Sequence, residues 1–205
     1  MANQACITPH TWLSKINKLN YPDRLIFDLD PPGKSENFNP VKSAAKILNS
    51  FLTSELKLNI YLMTTGSKGI HIVVPITADE DFDLVRKFGQ GIAKVISNRH
   101  SKDLTTEIRK NKRSGRIFID TARNGYAQTS VLPYSVRAIK GAPVAAPLSF
   151  DELSGKRLNS QSYNIKNIFK RLENISDPWN DINQKKNSLK GARKILNSII
   201  DEELK

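Results

Sequence analysis

The chain has 205 residues, with 32 lysines and arginines against 20 aspartates and glutamates, and therefore a formal net charge of +12 at pH 7. Its length suits one domain with a sizeable core, and its basic excess favours a polyanionic partner, nucleic acid before an anionic membrane. The single cysteine excludes an internal disulfide, and neither a secretory signal nor an apolar run of membrane-spanning length is present, so we expect a cytoplasmic protein.

The first predicted strand, Arg24–Asp30 (RLIFDLD), ends in two acids that are followed by two prolines. Side chains alternate between the faces of a strand, so Asp28 and Asp30 point the same way. Two like charges at this spacing raise each other's proton affinity unless a cation lies between them. The stretch is therefore either a metal site or an ordinary strand end with a solvated Asp-Pro turn.

The elements that follow predict a βαββαβ order, which is typical of an α+β, ferredoxin-like fold. Apolar residues at helical spacing predict a helix over residues 40–57, and a second predicted helix has the acidic run at 79–83 in its first turn. The second, third and fourth strands are predicted at 59–64, 70–76 and 116–120.

The predicted topology bears directly on the two acids. In a ferredoxin-like sheet the first and fourth strands are neighbours. Asp120, at the end of the fourth strand, can therefore lie beside Asp28 and Asp30. Three carboxylates from two adjacent strands favour a metal site over a solvated strand end.

The C-terminal part has a different character. Residues 121–153 are irregular, with short strand-like pieces, and residues 185–204 predict a basic amphipathic helix. We therefore expect a core over residues 1–155 and a basic helical C-terminal extension over residues 156–205. One face of the last helix contains Leu189, Ala192, Ile195, Leu196, Ile199 and Leu204.

The acidic residues suit divalent-metal chemistry. Aspartates are hard oxygen ligands for Mg²⁺ or Mn²⁺, and two ions roughly 3.5–4 Å apart can support an in-line phosphoryl displacement. The Asp28-Leu29-Asp30 pattern also occurs in phosphatases of the DxD type. Pro32, two residues after the second acid, counts against that class.

The turn TTGSKGIH, residues 64–71, is a candidate anion-binding loop. Gly66 and Gly69 allow backbone N–H groups to approach an anion closely. Thr65 and Ser67 add hydroxyl groups, and Lys68 adds a positive charge. The alternative is a plain polar hairpin turn, followed by a packed histidine at His71.

Arginines lie on both sides of Asp120 in the sequence. Arg113, Arg116, Arg123 and Arg137 have guanidinium groups whose geometry fits phosphate oxygens. The alternative is a solvated basic face, which is the usual role of surface arginines. An acidic pair, a glycine–lysine turn, a third acid and these arginines together indicate a metal–nucleotide site.

Five blocks, in order and spacing, resemble one family, the polymerase domain of bacterial ATP-dependent DNA ligase D. This family belongs to the archaeo-eukaryotic primase superfamily and acts in non-homologous end joining. The resemblance covers about residues 3–153. The blocks are PDRLIFDLDP, TTGSKGIHIVVPI, RSGRIFIDTARNG, PYSVRA and GAPVAAPLSFDEL.

The resemblance implies a primase-polymerase catalytic core that adds nucleotides to a DNA 3′ end, directed by a template. It implies a two-metal-ion mechanism with Mn²⁺ or Mg²⁺, an NTP or dNTP substrate, and DNA ends or gapped duplex. A ligase and Ku are the implied protein partners.

The resemblance also implies roles for individual residues. Asp28 and Asp30 correspond to the first two metal ligands, and Asp120 corresponds to the third and helps to activate the primer's 3′-hydroxyl. The residues that correspond to nucleotide-binding positions are His10, Thr65, Gly66, Ser67, Lys68, His71, Arg113, Arg123 and Arg137.

The chain departs from the family pattern in two respects. Arg123 stands before Asn124, where the family commonly has a glutamine. The family also normally has an N-terminal module, with lysines and aromatic residues for the template strand and the 5′-phosphate, before the matching segment. The resemblance thus implies an N-terminally short polymerase, and the alternative is a non-catalytic nucleic-acid-binding remnant of one.

Overall fold

The structure is a computed structural model that describes residues 5–33 and 37–203. Its strands are β1 (His10–Trp12), β2 (Arg24–Asp30), β3 (Tyr61–Thr64), β4 (Ile70–Pro75), β5 (Leu104–Thr105), β6 (Ile117–Asp120), β7 (Thr129–Val131) and β8 (Pro147–Leu148). Its α-helices are α1 (Asn39–Ser50), α2 (Phe82–Arg99), α3 (Phe150–Leu153), α4 (Ile168–Asn174) and α5 (Leu189–Glu203).

The main sheet has the strand order β5–β6–β2–β4–β3–β8, and a separate ribbon pairs β1 with β7. Within the main sheet β6, β2, β4 and β3 are antiparallel neighbours. This confirms the predicted ferredoxin-like order, with the first predicted strand, β2, beside the fourth, β6. The short strands β5 and β8 extend the sheet at its two edges.

The alternation of β2 divides its side chains between two environments. Leu25, Phe27 and Leu29 are fully buried in the large core that also contains the apolar faces of α1 and α2. Ile26 points to the other face, into a smaller cluster that includes Leu13 of the segment after β1. Asp28 and Asp30 share that second face because they follow Ile26 at intervals of two residues.

The predicted helix over residues 40–57 is shorter as an α-helix than expected. It ends at Ser50 and continues as a single π-helical turn over Phe51–Glu55, in which the Leu56 N–H bonds to the Phe51 carbonyl oxygen. The wider turn keeps Phe51 and Leu52 both buried in the core. Hydrophobic periodicity alone does not distinguish such a turn from a continuing α-helix.

Two short strands were not predicted from the sequence. The strands β1 and β5 have three and two residues, too few for an alternating pattern to be recognised. The predicted strand at 59–64 begins at Tyr61, and the last helix begins at Leu189 rather than at residue 185. Leu204, predicted on the face of that helix, lies outside the described residues.

The C-terminal segment packs into the main core. Leu189, Ala192 and Leu196 of α5 belong to the same cluster as β2 and α2, and the Trp179 indole N–H donates to the Leu62 carbonyl oxygen at 2.9 Å. The boundary between residues 155 and 156 stays a prediction. None of the helices in the described ranges has the length and apolar character needed to cross a membrane.

Candidate active site

The antiparallel register brings together the acids that the sequence singles out. Asp28 lies directly opposite Asp120, and Asp30 follows two residues along β2 on the same face. Directly opposed side chains of an antiparallel pair have Cβ atoms about 4.5–5.5 Å apart. The ends of β2 and β6 therefore form one acidic cluster.

The negative charge of this cluster affects the pKa of Asp30. Burial, followed by the carboxylates of Asp28 and Asp120, raises the pKa of Asp30 to about 6, against opposing effects of Arg113 and His71. Negative charge is therefore unfavourable at this position in the free protein. A bound cation would relieve that repulsion.

The two oxygens of Asp28 have different surroundings. Its Oδ2 lies 3.3 Å from His71 Nε2, while His71 Nδ1 lies 3.4 Å from the Ser130 hydroxyl oxygen. Its Oδ1 is buried and has no hydrogen-bond partner within the described residues. Because buried polar atoms are nearly always paired, an orphaned carboxylate oxygen fits a cation ligand.

The residues present fit a divalent cation in their donor chemistry. Within residues 5–33 and 37–203, no three His, Cys, Asp or Glu side chains already form a ready set of ligands. Carboxylate oxygens are nonetheless the donors that Mg²⁺ and Mn²⁺ prefer, and the cluster offers both an orphaned oxygen and a repelled carboxylate. Asp28, Asp30 and Asp120 are therefore the residues that would hold the ion, and this role stays a prediction.

The turn between β3 and β4 packs against the end of β2. The Thr65 hydroxyl oxygen accepts the backbone N–H groups of Ser67 and Gly69 at 3.3 and 3.2 Å, which closes the turn. Gly66 has φ of +66°, and a side-chain carbon at Gly69 would lie 2.3 Å from the Leu29 carbonyl oxygen. Both glycines are thus required by the conformation of the turn and its close approach to β2.

A second segment supports the same turn from outside. The hydroxyl of Ser160 and the side-chain amide of Gln161 both donate to the Ser67 carbonyl oxygen, at 2.9 and 3.0 Å. These contacts fix the orientation of the turn's peptide groups. Sequence reasoning missed both residues, because they are distant in the chain and belong to no recognisable motif.

Basic side chains from separate segments line the same pocket as Asp28 and Asp30. Its volume is about 180 Å³, and its walls include His10 of β1, Arg123 after β6 and Arg137 after β7. Burial lowers the pKa of His10, and the positive charges of Arg137 and Arg123 lower it further. The residues lining the pocket are His10, Asp28, Asp30, Thr65, Ser67, Lys68, His71, Arg123, Val131 and Arg137.

Arg137 connects the acidic and basic sides of the pocket. Burial lowers the pKa of its guanidinium, Asp28 opposes that effect, and Arg123 adds to it. A carbon side chain at Gly66 would lie 2.8 Å from the Cγ of Arg137. The absence of a side chain at Gly66 therefore leaves room for the arginine.

Arg113 is placed differently from the other predicted site residues. It is buried, it donates to the carbonyl oxygens of Glu107 and Ile108 at 2.9 Å each, and its guanidinium lies 4.0 Å from the centre of the Phe118 ring. Arg113 does not line the pocket, and its contacts anchor the loop before β6. Asp120 and Gly66 do not line the pocket either. The binding of nucleotide by Arg113 stays a prediction.

Asn124 is a positioning residue that the sequence analysis did not assign. Its Oδ1 accepts the Ile26 N–H at 2.7 Å, and its Nδ2 donates to the carbonyl oxygens of Ile26 and Thr121 at 2.7 and 2.9 Å. Because β6 pairs with β2 only from Asp28 onward, this side chain replaces a neighbouring strand at Ile26. It thereby fixes β2 just before its acids.

Several cavities are larger than this pocket. One, of about 610 Å³, is bordered by the π-helical turn and the edge of β3, another, of about 550 Å³, shares Ser67 and Lys68 with the site, and a further one, of about 340 Å³, is bordered by residues 17–21. The candidate site is therefore identified by the charged groups that converge on it and not by its volume.

Comparison with known proteins supports the resemblance seen in the sequence. Over 176 residues, 84% of this chain, it is 33% identical to the multifunctional non-homologous end joining protein LigD of Pseudomonas aeruginosa. Over 186 residues, 88% of this chain, it is 28% identical to the bifunctional non-homologous end joining protein LigD of Bacillus subtilis. The chain spans only 20% and 29% of the lengths of these two relatives.

A solved structure shows the same fold. The polymerase domain from Mycobacterium tuberculosis ligase D, in complex with DNA, matches with a TM-score of 0.74 and 23% sequence identity, over 88% of this chain and 62% of that one. A family description, "LigD, primase-polymerase domain", matches residues 1–179. The chain therefore belongs to the LigD primase-polymerase domain family.

Proposed function

We propose that this chain is a metal-dependent nucleotidyltransferase that adds nucleotides to a DNA 3′ end during double-strand-break repair by end joining. The observation that carries the proposal is the pairing of Asp120 with Asp28, which lines a pocket together with Lys68, Arg123 and Arg137. Acids that suit a divalent cation and cations that suit phosphates are thus adjacent. The relatives, named as end-joining proteins, support the repair context.

Binding of the nucleotide uses the basic side of the pocket. Lys68, Arg123 and Arg137 neutralise the triphosphate, and the backbone N–H groups of Gly66 and Lys68 in the turn approach its oxygens. His10, whose pKa is lowered in the free protein, gains a proton more readily once phosphate charge lies beside it. The substrate is an NTP or a dNTP.

Transfer of the nucleotide uses the acidic side. The 3′-oxygen of the primer forms a bond to the α-phosphorus, the bond from that phosphorus to the bridging oxygen breaks, and pyrophosphate leaves with the electron pair. Asp120 orients the 3′-hydroxyl and draws its proton. Asp28, Asp30 and Asp120 would hold a divalent cation, Mn²⁺ or Mg²⁺, which would supply charge stabilisation to the transferring phosphoryl group.

The decisive experiment is primer extension. The chain is incubated with a gapped duplex, Mn²⁺ and labelled nucleotides, and extension of the 3′ end is measured for the wild type, Asp28→Ala and Asp120→Ala. We expect extension by the wild type and a loss of at least about 100-fold in each variant, because each removes a carboxylate that stabilises the reacting charge. Circular dichroism and thermal melting of the variants check that the fold is retained.

Two outcomes would contradict this proposal. DNA binding without extension by the wild type would favour the non-catalytic nucleic-acid-binding remnant. Collapse of the fold in both variants would mean that the acids are structural, whereas removal of a repelled charge is expected to leave metal-free stability equal or higher. A ligase and Ku as partners belong to the same proposal and are tested separately by co-purification. A cytoplasmic location also belongs to it and is tested by cell fractionation.

A further inference from the structure

Two exposed aromatic side chains contact each other near the candidate active site. The rings of Trp12 and Tyr126 pack edge to face, with centroids 5.6 Å apart. Trp12 is 37% exposed and Tyr126 is 53% exposed. Large rings that stay exposed while packing together form a surface on which another flat group can stack.

The chain places this pair next to the pocket along two separate segments. His10, which lines the pocket, and Trp12 lie two residues apart on β1 and therefore face the same side of the ribbon, about 7 Å apart along the strand. Arg123, which also lines the pocket, precedes Tyr126 by three residues. The aromatic pair is thus continuous with the site rather than isolated on the surface.

The pair is held firmly from beneath. The ring of Tyr126 also packs edge to face on Phe82, with centroids 5.6 Å apart, and Phe82 is buried at the start of α2. An exposed ring fixed by a buried one loses little conformational entropy when a ligand stacks on it. This arrangement is that of a preorganised platform.

Two arginines lie near the segment that contains Tyr126. Arg123 lies at the pocket, and a side-chain carbon at Gly125 would lie 3.8 Å from the guanidinium of Arg86, so a second arginine borders the Tyr126 segment. Guanidinium groups beside aromatic faces suit a ligand that combines phosphates with flat bases. An apolar protein partner would not require this charge.

We propose that Trp12 and Tyr126 form a stacking platform for unpaired bases of a single-stranded DNA segment that enters the site. This inference rests on the proposed function, because it identifies where that function's DNA substrate is held. The ligand is recognised by its bases through stacking and by its phosphates through the nearby arginines. Stacking of this kind tolerates any base sequence.

The test measures binding of a labelled single-stranded oligonucleotide by anisotropy, without nucleotide or metal. The variants are Trp12→Ala, Tyr126→Ala and Tyr126→Phe, with Phe169→Ala as the matched control, since Phe169 is 72% exposed in α4. We expect roughly 5- to 100-fold weaker binding for the two alanine variants at the platform. Tyr126→Phe and Phe169→Ala should bind as the wild type does.

A second ligand separates stacking from charge. An abasic oligonucleotide of the same length keeps the phosphates and lacks the bases, so the wild type and Trp12→Ala should bind it equally. The salt dependence of binding should be the same in all these proteins, because it reports on phosphate contacts. Trp12 fluorescence should be quenched by the base-containing oligonucleotide alone, while Trp179 is buried.

The possible failures are distinguishable. If the wild type binds no DNA at all, the proposed function fails together with this inference. If the wild type binds DNA but the alanine variants bind it equally well, only the stacking platform is overturned. A loss of affinity that persists on the abasic oligonucleotide would also overturn it.

Discussion

Asp28 and Asp30 differ in their surroundings although they are two residues apart on one face of β2. Asp28 pairs with His71 through one oxygen and leaves the other orphaned, whereas the pKa of Asp30 is raised to about 6 by burial and by its two acidic neighbours. The free protein therefore holds a repulsion that a cation would remove. Substitution of a single carboxylate should therefore reveal this repulsion as a change in stability.

Asp30→Asn should change the pH dependence of metal-free stability. With a folded pKa near 6 and an ordinary unfolded value near 3.8, the folded state binds more protons between these values, so the stabilising contribution of Asp30 is lost as pH rises from about 4 to 6. Partial solvation reduces the effect to on the order of 1 kcal/mol. Urea unfolding at several pH values should show that the free energy of unfolding of the variant rises relative to that of the wild type as the pH increases across this interval.

Addition of Mn²⁺ at pH 7 provides the complementary measurement. The ion should raise the melting temperature of the wild type, because it binds the folded state, and chelation should reverse the rise. Asp30→Asn should show a smaller shift. Equal shifts in both proteins would remove Asp30 from the set of metal ligands.

At the scale of an element, the turn between β3 and β4 is defined by how closely it approaches β2. Gly69 leaves no space for a side chain, because the atom that it would meet is the backbone oxygen of Leu29, which cannot rotate away. The hydroxyl of Thr65 and the side chains of Ser160 and Gln161 then hold the turn in place. The turn is therefore held in close backbone contact with the acidic end of β2.

Gly69→Ala should separate the turn from β2. We expect a loss of about 1–3 kcal/mol in the free energy of unfolding, as for other overpacked positions, together with weaker binding of tripolyphosphate measured by calorimetry. Gly191→Ala is the matched control, since Gly191 lies within α5 and nothing lies within 4 Å of an added carbon. That variant should be stabilised by up to about 1 kcal/mol, and a similar gain at Gly69 would contradict the proposed packing.

At the scale of the whole molecule, the C-terminal segment and the sheet share one core. Leu196 of α5 is 3% exposed and lies 3.2 Å from the position of an added carbon at Gly91 of α2. Asn187 donates to the carbonyl oxygens of Pro75 and Asn59 at 2.8 and 3.0 Å, which joins the segment to the end of β4. Unfolding of the segment should therefore be coupled to unfolding of the sheet.

Leu196→Ala tests this coupling. The variant should lose about 2–4 kcal/mol of stability in a single cooperative transition, because a large buried side chain is removed from a shared core. Ile195→Ala, at the neighbouring and 38% exposed position, should lose about 1 kcal/mol or less. Two separate transitions, with the main one unaffected by Leu196→Ala, would indicate that the predicted extension over 156–205 unfolds independently.

The features that sequence reasoning predicted correctly are those with a local physical signal. Alternation along β2 assigns Asp28 and Asp30 to one face, and helical spacing identifies α1 and α2, because each pattern reflects burial of neighbouring positions. The order of these elements was sufficient to predict the ferredoxin-like fold, and five blocks of residues were sufficient to predict the family. The roles of individual site residues stay predictions.

The remaining features depend on partners that are distant in the chain. The period of a strand determines which face a residue occupies but leaves the register open, so the pairing of Asp28 with Asp120 had to come from the structure. Asn124 bonds to Ile26, 98 positions away, and Arg113 is buried against Phe118 rather than at the pocket. The amino-acid sequence by itself determined the chemistry that is available, and the tertiary structure decided which groups meet, because hydrogen bonds and charge interactions act over a few ångströms of space and not along the chain.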